Sequence, residues 1–254
     1  AIALIAGALE SGILRAEQLV VVETSPQQRE RLRRRFQQVP IHSEPTAAAE
    51  CQRLVLAVKP QVLRQIGPAI AQCLPGDRLW ISIAAGVSLV ELSEMLGSNR
   101  VIRVMPNTPV QVGAGAAGLS ASDGASKSDI AWVLQFMQSV GTCVEVDDSQ
   151  MHAVTGVAGS GPAYIYLIIE ALSDAGVAGG LPRSTSTNLA AQMVFGAAKM
   201  ILETHQHPGE LKDQVTSPAG TTIEAIRVLE AAGVRSAMME AVAACIERSK
   251  ELEA

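Results

Sequence analysis

Short apolar runs alternate with helical stretches up to about Asp148, and none follows it; this switch limits the possible folds more than any other feature of the chain. The runs are LVVVET (residues 19–24), RLVLAV (53–58), RLWISIAAG (78–86) and RVIRVM (100–105). Ahead of them lies a helix over residues 2–10 stopped by Gly12, and between them the polar helix SPQQRERLRRRFQQ with Pro26 in its first turn, a helix over 61–74 and the short SLVELSEML. This rhythm predicts a parallel, doubly wound sheet. Such a fold opens with a strand and a glycine-rich turn, whereas Ala1 already lies inside the first helix, so the first strand and the glycine loop are expected ahead of it.

After Asp148 the pattern is helical in four runs, starting PAYIYL, STSTNL, TIEAIR and VRSAMM and punctuated by Gly, Pro, Ser and Thr. YLIIEAL (166–172) is apolar on nearly every side, which predicts a helix buried all round. The expectation is therefore an α/β chain of two domains: a Rossmann-like residues 1–148 and an all-α residues 149–254. Alanine is abundant and aromatic residues make up only 3%, which favours closely approaching helices, also between subunits.

With 48% apolar and 18% charged residues the chain can bury a large core, and its net charge of -5 argues against nucleic acid or an anionic membrane as partner. No apolar run reaches the roughly 18 residues of a membrane span, and the opening AIALIAGALESG lacks the basic start of a signal peptide. Cys51, Cys73, Cys143 and Cys245 form no CxxC pair and read as free thiols of a reducing cytoplasm.

Ligands of open α/β sheets bind beyond the carboxyl ends of the strands. Three such ends stand out: AVKP (57–60), IAAG (83–86) and MPNTP (105–109). Lys59 offers a cation, Ala84 and Ala85 let a flat ligand approach the backbone, and Asn107 and Thr108 offer neutral hydrogen bonds. Each has an ordinary structural explanation, yet together they predict a cofactor crevice. At the ribose end Glu23 suits a 2'-hydroxyl, while Thr24, Ser25 and Arg29 suit a 2'-phosphate; both readings stay open. The one literal GxGxxG, GAGAAG at 113–118, follows a proline-rich loop and precedes LSASDG, so it reads as backbone entering a strand. GSGPAY (159–164) reads as Ser160 or Gly161 capping a helix with Pro162 in its first turn. His205 and His207 are wrongly spaced for one helical face, and no metal site is expected.

QVTSPAGTTIEAIRVLEAAG (214–233) sets Thr216, Ser217, Thr221 and Thr222 at the head of an apolar-periodic run. Thr221 with Glu224 fits a capping box, and the surplus hydroxyls beside free N–H groups fit a carboxylate site. The sequence leaves cap and anion site open.

The blocks VIRVMPNTPVQVGAG, AVTGVAGSGPAYIYLIIEALSDAGVAGGLPRS, LAAQMVFGAAKMI and HPGELKDQVTSPAGTTIEAIRVLEAAGVRSAMMEAV together resemble the pyrroline-5-carboxylate reductase family, in order and over residues 1–252. The resemblance implies a Rossmann domain and a helical domain that interlocks into dimers, commonly five of them in a decamer, in the cytoplasm. It implies reduction of the C=N bond of 1-pyrroline-5-carboxylate to L-proline by NADPH, with NADH possible. Carried over, Ser25, Ala57, Val58, Lys59, Pro60, Ile83, Ala84, Ala85 and Asn107 fall on cofactor positions. Val215, Ser217, Gly220, Thr221 and Thr222 fall on the substrate loop, Thr222 as the catalytic hydroxyl at the ring nitrogen, and Asp148 matches an acidic position near cofactor and substrate. The family's GGGNMA loop falls just before Ala1. Glu44 replaces a frequent Asn, His152 an Asp and Ala219 the first of two glycines. Two alternatives differ in kind: a 3-hydroxyacid dehydrogenase, for which Lys199 is the nearest general base, and a helical oligomerisation module without catalysis.

Overall fold

The computed structural model describes residues 1–253. In chain order the elements of the first half are α1 (Ile2–Glu10), β1 (Val21–Val22), α2 (Pro26–Arg35), β2 (Ile41–His42), β3 (Arg53–Leu56), α3 (Pro60–Cys73), β4 (Leu79–Ser82), α4 (Leu89–Leu96), β5 (Val101–Met105), β6 (Gly115–Ala121), α5 (Lys127–Gln138) and β7 (Gly141–Glu145). Then follow α6 (Met151–Val154), a π-helical turn (Thr155–Gly159), α7 (Gly161–Ala178), α8 (Arg183–Thr204), α9 (Pro208–Gln214), α10 (Thr221–Ala231) and α11 (Val234–Glu253). The chain forms two compact units, residues 1–160 together with those from Cys245 onward, and Gly161–Ala244.

In the first unit five strands run in the order β3-β4-β5-β6-β7. β4 is buried at every position, as a central strand covered on both faces must be. Its side chains alternate: Leu79 and Ile81 join the core under α1 and α5, while Trp80 joins the core under α3 and α4. A helix layer therefore covers each face, and the carboxyl ends of β3, β4 and β5 share one edge.

Two details depart from the expectation of one parallel sheet. β5 and β6 are antiparallel, because residues 106–114 hold only a short 3-10 turn, too little chain for a helical crossover. LVVVET forms only the two-residue β1, paired in parallel with β2 in a separate sheet, and Val22 is exposed rather than buried. GAGAAG runs into β6 and no helix follows it directly. α6 settles on β6 because Gly118 has no side chain; a Cβ there would meet Val154 at 2.8 Å.

In the second unit α7 packs against α8, with the Ser173 hydroxyl 2.6 Å from that of Thr187 and Ser186 donating to the Ser173 carbonyl at 2.8 Å. The expectation that YLIIEAL is buried all round fails within one chain: Tyr166 is 60% and Leu167 67% exposed. Phe195 and Leu202 on α8 and Met239 on α11 are exposed as well. These helices have more apolar faces than one chain of this composition covers. α9 lay outside the periodic runs of the sequence; His207 caps it, accepting from the Gly209 N–H at 3.1 Å. No helix among the described residues is long and apolar enough to cross a membrane.

One ion pair fastens α5 to the sheet. Asp129, 2% exposed, closes a capping box with Ser126 and takes Arg100 in two bonds, Nε to Oδ2 at 2.9 Å and Nη2 to Oδ1 at 2.8 Å. The Arg100 guanidinium, followed by the Ser126 hydroxyl and N–H, holds the Asp129 carboxyl well below the usual carboxylate range. A depressed pKa gives stability that is complete above the unfolded value, about 3.9, and is lost as pH falls below it. Asp129→Asn should destabilise the fold by about 3 kcal/mol at neutral pH. In urea titrations its deficit against the native chain should shrink below about pH 4; a deficit independent of pH would contradict this.

Candidate active site

The three strand ends meet at one edge of the five-stranded sheet. After β3, Ala57 and Val58 lead to Lys59, an exposed lysine at the start of α3. No side chain caps α3, so its first N–H groups face that edge with the lysine beside them. After β4, Ile83, Ala84 and Ala85 lead into a turn in which Gly86 has φ +66° and the Ser82 hydroxyl accepts from the Ala84 N–H at 3.2 Å. After β5 comes Asn107. Its amide bridges two segments, donating to the Ala158 carbonyl at 3.1 Å and accepting from the Ala116 N–H at 3.0 Å. Asn107 thereby clamps the π turn to the start of β6, a job the sequence did not suggest.

Beyond β1 the turn is internally tied. The Glu23 carboxylate accepts from the Ser25 N–H at 2.8 Å, and the Ser25 hydroxyl caps α2. Arg29 donates to the Glu23 and Thr24 carbonyls at 2.8 and 2.7 Å. The one acid that could read a ribose hydroxyl is thus held on the backbone of its own turn, and a guanidinium stands beside it.

Asp148 lies at the same edge, held by an arginine that sequence reasoning overlooked. Arg103 on β5 is 5% exposed. Its Nε faces Asp148 Oδ1 at 2.5 Å as an ion pair off the line of a hydrogen bond, while Nη2 donates to the Asp148 carbonyl at 3.0 Å. Its Nη1 donates to the Val87 carbonyl at 3.2 Å and to Glu253 Oε2 at 2.9 Å. His152 adds its Nδ1 to the Ser249 hydroxyl at 3.0 Å. Arg103, His152, Ser249 and Glu253 line a cavity of about 20 Å³, room for one water, with Ala84, Ala85 and Met105. The signal was available: an arginine inside the apolar run VIRVM must find partners or be expelled.

In the second unit Gly220 begins α10 in extended geometry, and no side chain caps that helix. The proposed box of Thr221 and Glu224 is absent, because Thr221 is already helical and Glu224 instead binds Arg227 at 3.0 Å. The first N–H groups of α10 are left for solvent or a ligand. Before them Ser217 to Gly220 form a tight turn closed by Gly220 N–H to Ser217 carbonyl at 3.1 Å, with Ala219 at φ +58°. Ser217 sits against Gly220 so closely that a Cβ on Gly220 would fall 2.2 Å from its hydroxyl oxygen. Val215 is exposed, Thr222 half-buried, and Thr216 turns back to the Lys212 carbonyl at 2.6 Å.

Other candidates take ordinary roles. Ser160 follows the π turn directly and meets the Cys245 thiol at 3.2 Å rather than standing as an isolated cap. Lys199 is exposed and pairs with Glu203 at 3.5 Å. Burial pushes the Cys143 thiol up to about 11, so it stays protonated. Among the described residues no three His, Cys, Asp or Glu side chains gather as a metal site would require.

Comparison with known proteins covers both units. A family profile described as pyrroline-5-carboxylate reductase dimerisation matches residues 148–252, and one described as NADP oxidoreductase coenzyme F420-dependent matches residues 1–86. A pyrroline-5-carboxylate reductase from Pisum sativum is 42% identical over 97% of this chain and 90% of its own. The solved pyrroline-5-carboxylate reductase of Coxiella burnetii superposes with a TM-score of 0.93 at 34% identity, over 99% of this chain and 94% of that one. That of Plasmodium falciparum, with NADP bound, gives 0.86 at 33% identity over the same shares. With identity of this order across the whole length, the chain belongs to the pyrroline-5-carboxylate reductase family.

Proposed function

We propose that this chain reduces 1-pyrroline-5-carboxylate to L-proline, the last step of proline biosynthesis, with NADPH as hydride donor. The observation that carries the reading, in a chain of this family, is the uncapped start of α10: free N–H groups with Ser217 and Thr222 at the same turn suit a small ring carboxylate.

The residues present fit a dinucleotide. Lys59 and the uncapped α3 offer positive charge at the sheet edge, and Ala84 and Ala85 leave the backbone open to a flat ring. Ser25 and Arg29 suit the 2'-phosphate, since Glu23 is already engaged by the Ser25 N–H. We assign Ser25, Ala57 to Pro60 and Ile83 to Ala85 to the cofactor, with Asn107 supporting them through the π turn. The bound nucleotide supplies a hydride.

The protein binds, orients and relays a proton. N–H groups of Gly220 and Thr221, with the Ser217 hydroxyl, hold the carboxylate; Val215 covers the ring. The Thr222 hydroxyl hydrogen-bonds the ring nitrogen, while Asp148, which the family resemblance places near cofactor and substrate, orients the nicotinamide end of the cofactor. Because an imine takes a proton readily from water, Thr222 need only align and pass one on. Residues 149–254 then serve substrate binding and dimer formation, residues 1–148 the cofactor. The exposed apolar faces of α7, α8 and α11 pair with a second copy, and five dimers form a cytoplasmic decamer.

Thr222→Ala should lower kcat without abolishing it, by less than the about 100-fold that loss of a full general acid costs; unchanged kinetics would remove Thr222 from the reaction. Gly220→Ala forces Ser217 aside, so it should raise KM for the pyrroline carboxylate and leave NADPH binding as it was. Leu167→Arg places a charge on an uncovered face of α7 and should shift the chain toward monomer in sedimentation; an unaltered assembly would place the interface elsewhere.

A further inference from the structure

Arg103 is buried and meets oxygens of Val87, Asp148 and Glu253, and the reaction outlined above gives it nothing to do. The residue is 5% exposed, and its guanidinium joins three places distant in sequence. Asp148 is held twice, by its carboxylate and by its own carbonyl. The Val87 carbonyl, in the turn that carries Ala84 and Ala85 away from β4, is held once. The last turn of α11 is held through Glu253. A planar fork with five N–H groups can satisfy several acceptors at fixed angles, which a lysine cannot. The backbone and side chain of one residue gripped by one guanidinium leave Asp148 a single orientation.

We propose that Arg103 is a positioning residue for the cofactor edge: it sets the Asp148 carboxylate and the turn after β4 in register with each other, and so acts on the cofactor through Asp148. This rests on the assignment of Asp148 above. The alternative is an arginine that merely fastens α11 to the sheet. Such an arginine would lower stability when removed and leave the folded protein's affinity for NADPH alone.

A double-mutant cycle on NADPH binding, read by calorimetry, separates the two. Asp148→Asn and Arg103→Met should each raise the NADPH dissociation constant by about 10-fold, or about 1.4 kcal/mol. The double variant should be no weaker than the weaker single one, because both remove the same arrangement. Arg103→Lys keeps the charge without the fork; it should also weaken binding, and it takes the place of Arg103→Met in the cycle should that variant not fold. Factors that multiply in the double variant, or an unchanged constant on replacing Arg103 while Asp148→Asn weakens binding, would overturn the role of Arg103. An unchanged constant for Asp148→Asn would instead overturn the assignment of Asp148 to the cofactor side.

Discussion

A charged guanidinium inside a protein has to be surrounded by oxygen, because its transfer from water without partners costs many kcal/mol. In this chain that requirement gathers the site. Arg103 leaves the middle of β5 into the layer beside the strand ends, and the oxygens that meet it come from the turn after β4, from Asp148 and from the end of α11. Two carboxylates and two backbone carbonyls share this one guanidinium, so the strand ends, the segment entering α6 and the last residues of the chain are bound to the same geometry. Burial of such a cluster does little for net stability compared with apolar packing, and much for uniqueness of arrangement. At the edge proposed for the cofactor, uniqueness matters more.

The second unit depends on an opposite constraint, shortage of covering surface. Its helices are built from alanine and medium aliphatic side chains, and within one chain Ser173, Ser186 and Ala190 are its buried residues, with Leu167, Phe195, Leu202 and Met239 left in the open. Close contact between α7 and α8 is possible because Ser186 replaces bulk with a hydroxyl that satisfies the Ser173 carbonyl. A helix pair this narrow has two apolar sides and covers only one. Membership of a family whose profile is described by dimerisation is the natural counterpart of that surplus.

The sequence made the alternation of strands and helices legible because period and punctuation act locally: β4 and β5 are near-continuous apolar runs, and Gly97, at φ +58°, ends α4 where a glycine was needed. The antiparallel turn of β6 was less visible, since it follows from how little chain residues 106–114 provide, not from any pattern within β6 itself. α7 misled, because an all-round apolar helix announces burial without saying by what. The hydroxyl cluster was found for its chemistry, with cap and anion site left open, and the cap is not there: Thr221 and Glu224 have the right spacing one position too late, and Gly220 is the residue that precedes α10 as its cap. Arg103 was passed over because it sits inside a good strand signal, where one charge among apolar neighbours reads as noise.

Strain points to the same loop as the chemistry. Among the described residues the non-glycine positions with positive φ are His205, at 56°, just before α9, and Ala219, at 58°, in the turn that follows it. An L-residue with a Cβ holds that conformation at about 1–2 kcal/mol, so the surrounding contacts must impose it. At Ala219 the contacts are visible: Pro218 fixes the first corner of the turn, the Gly220 N–H closes it on Ser217, and Ser217 fills the space a side chain on Gly220 would need. A glycine at 219 would relax the corner and let the turn open. With alanine there, the corner is held at some cost in stability, and Ser217 stays beside the uncapped start of α10.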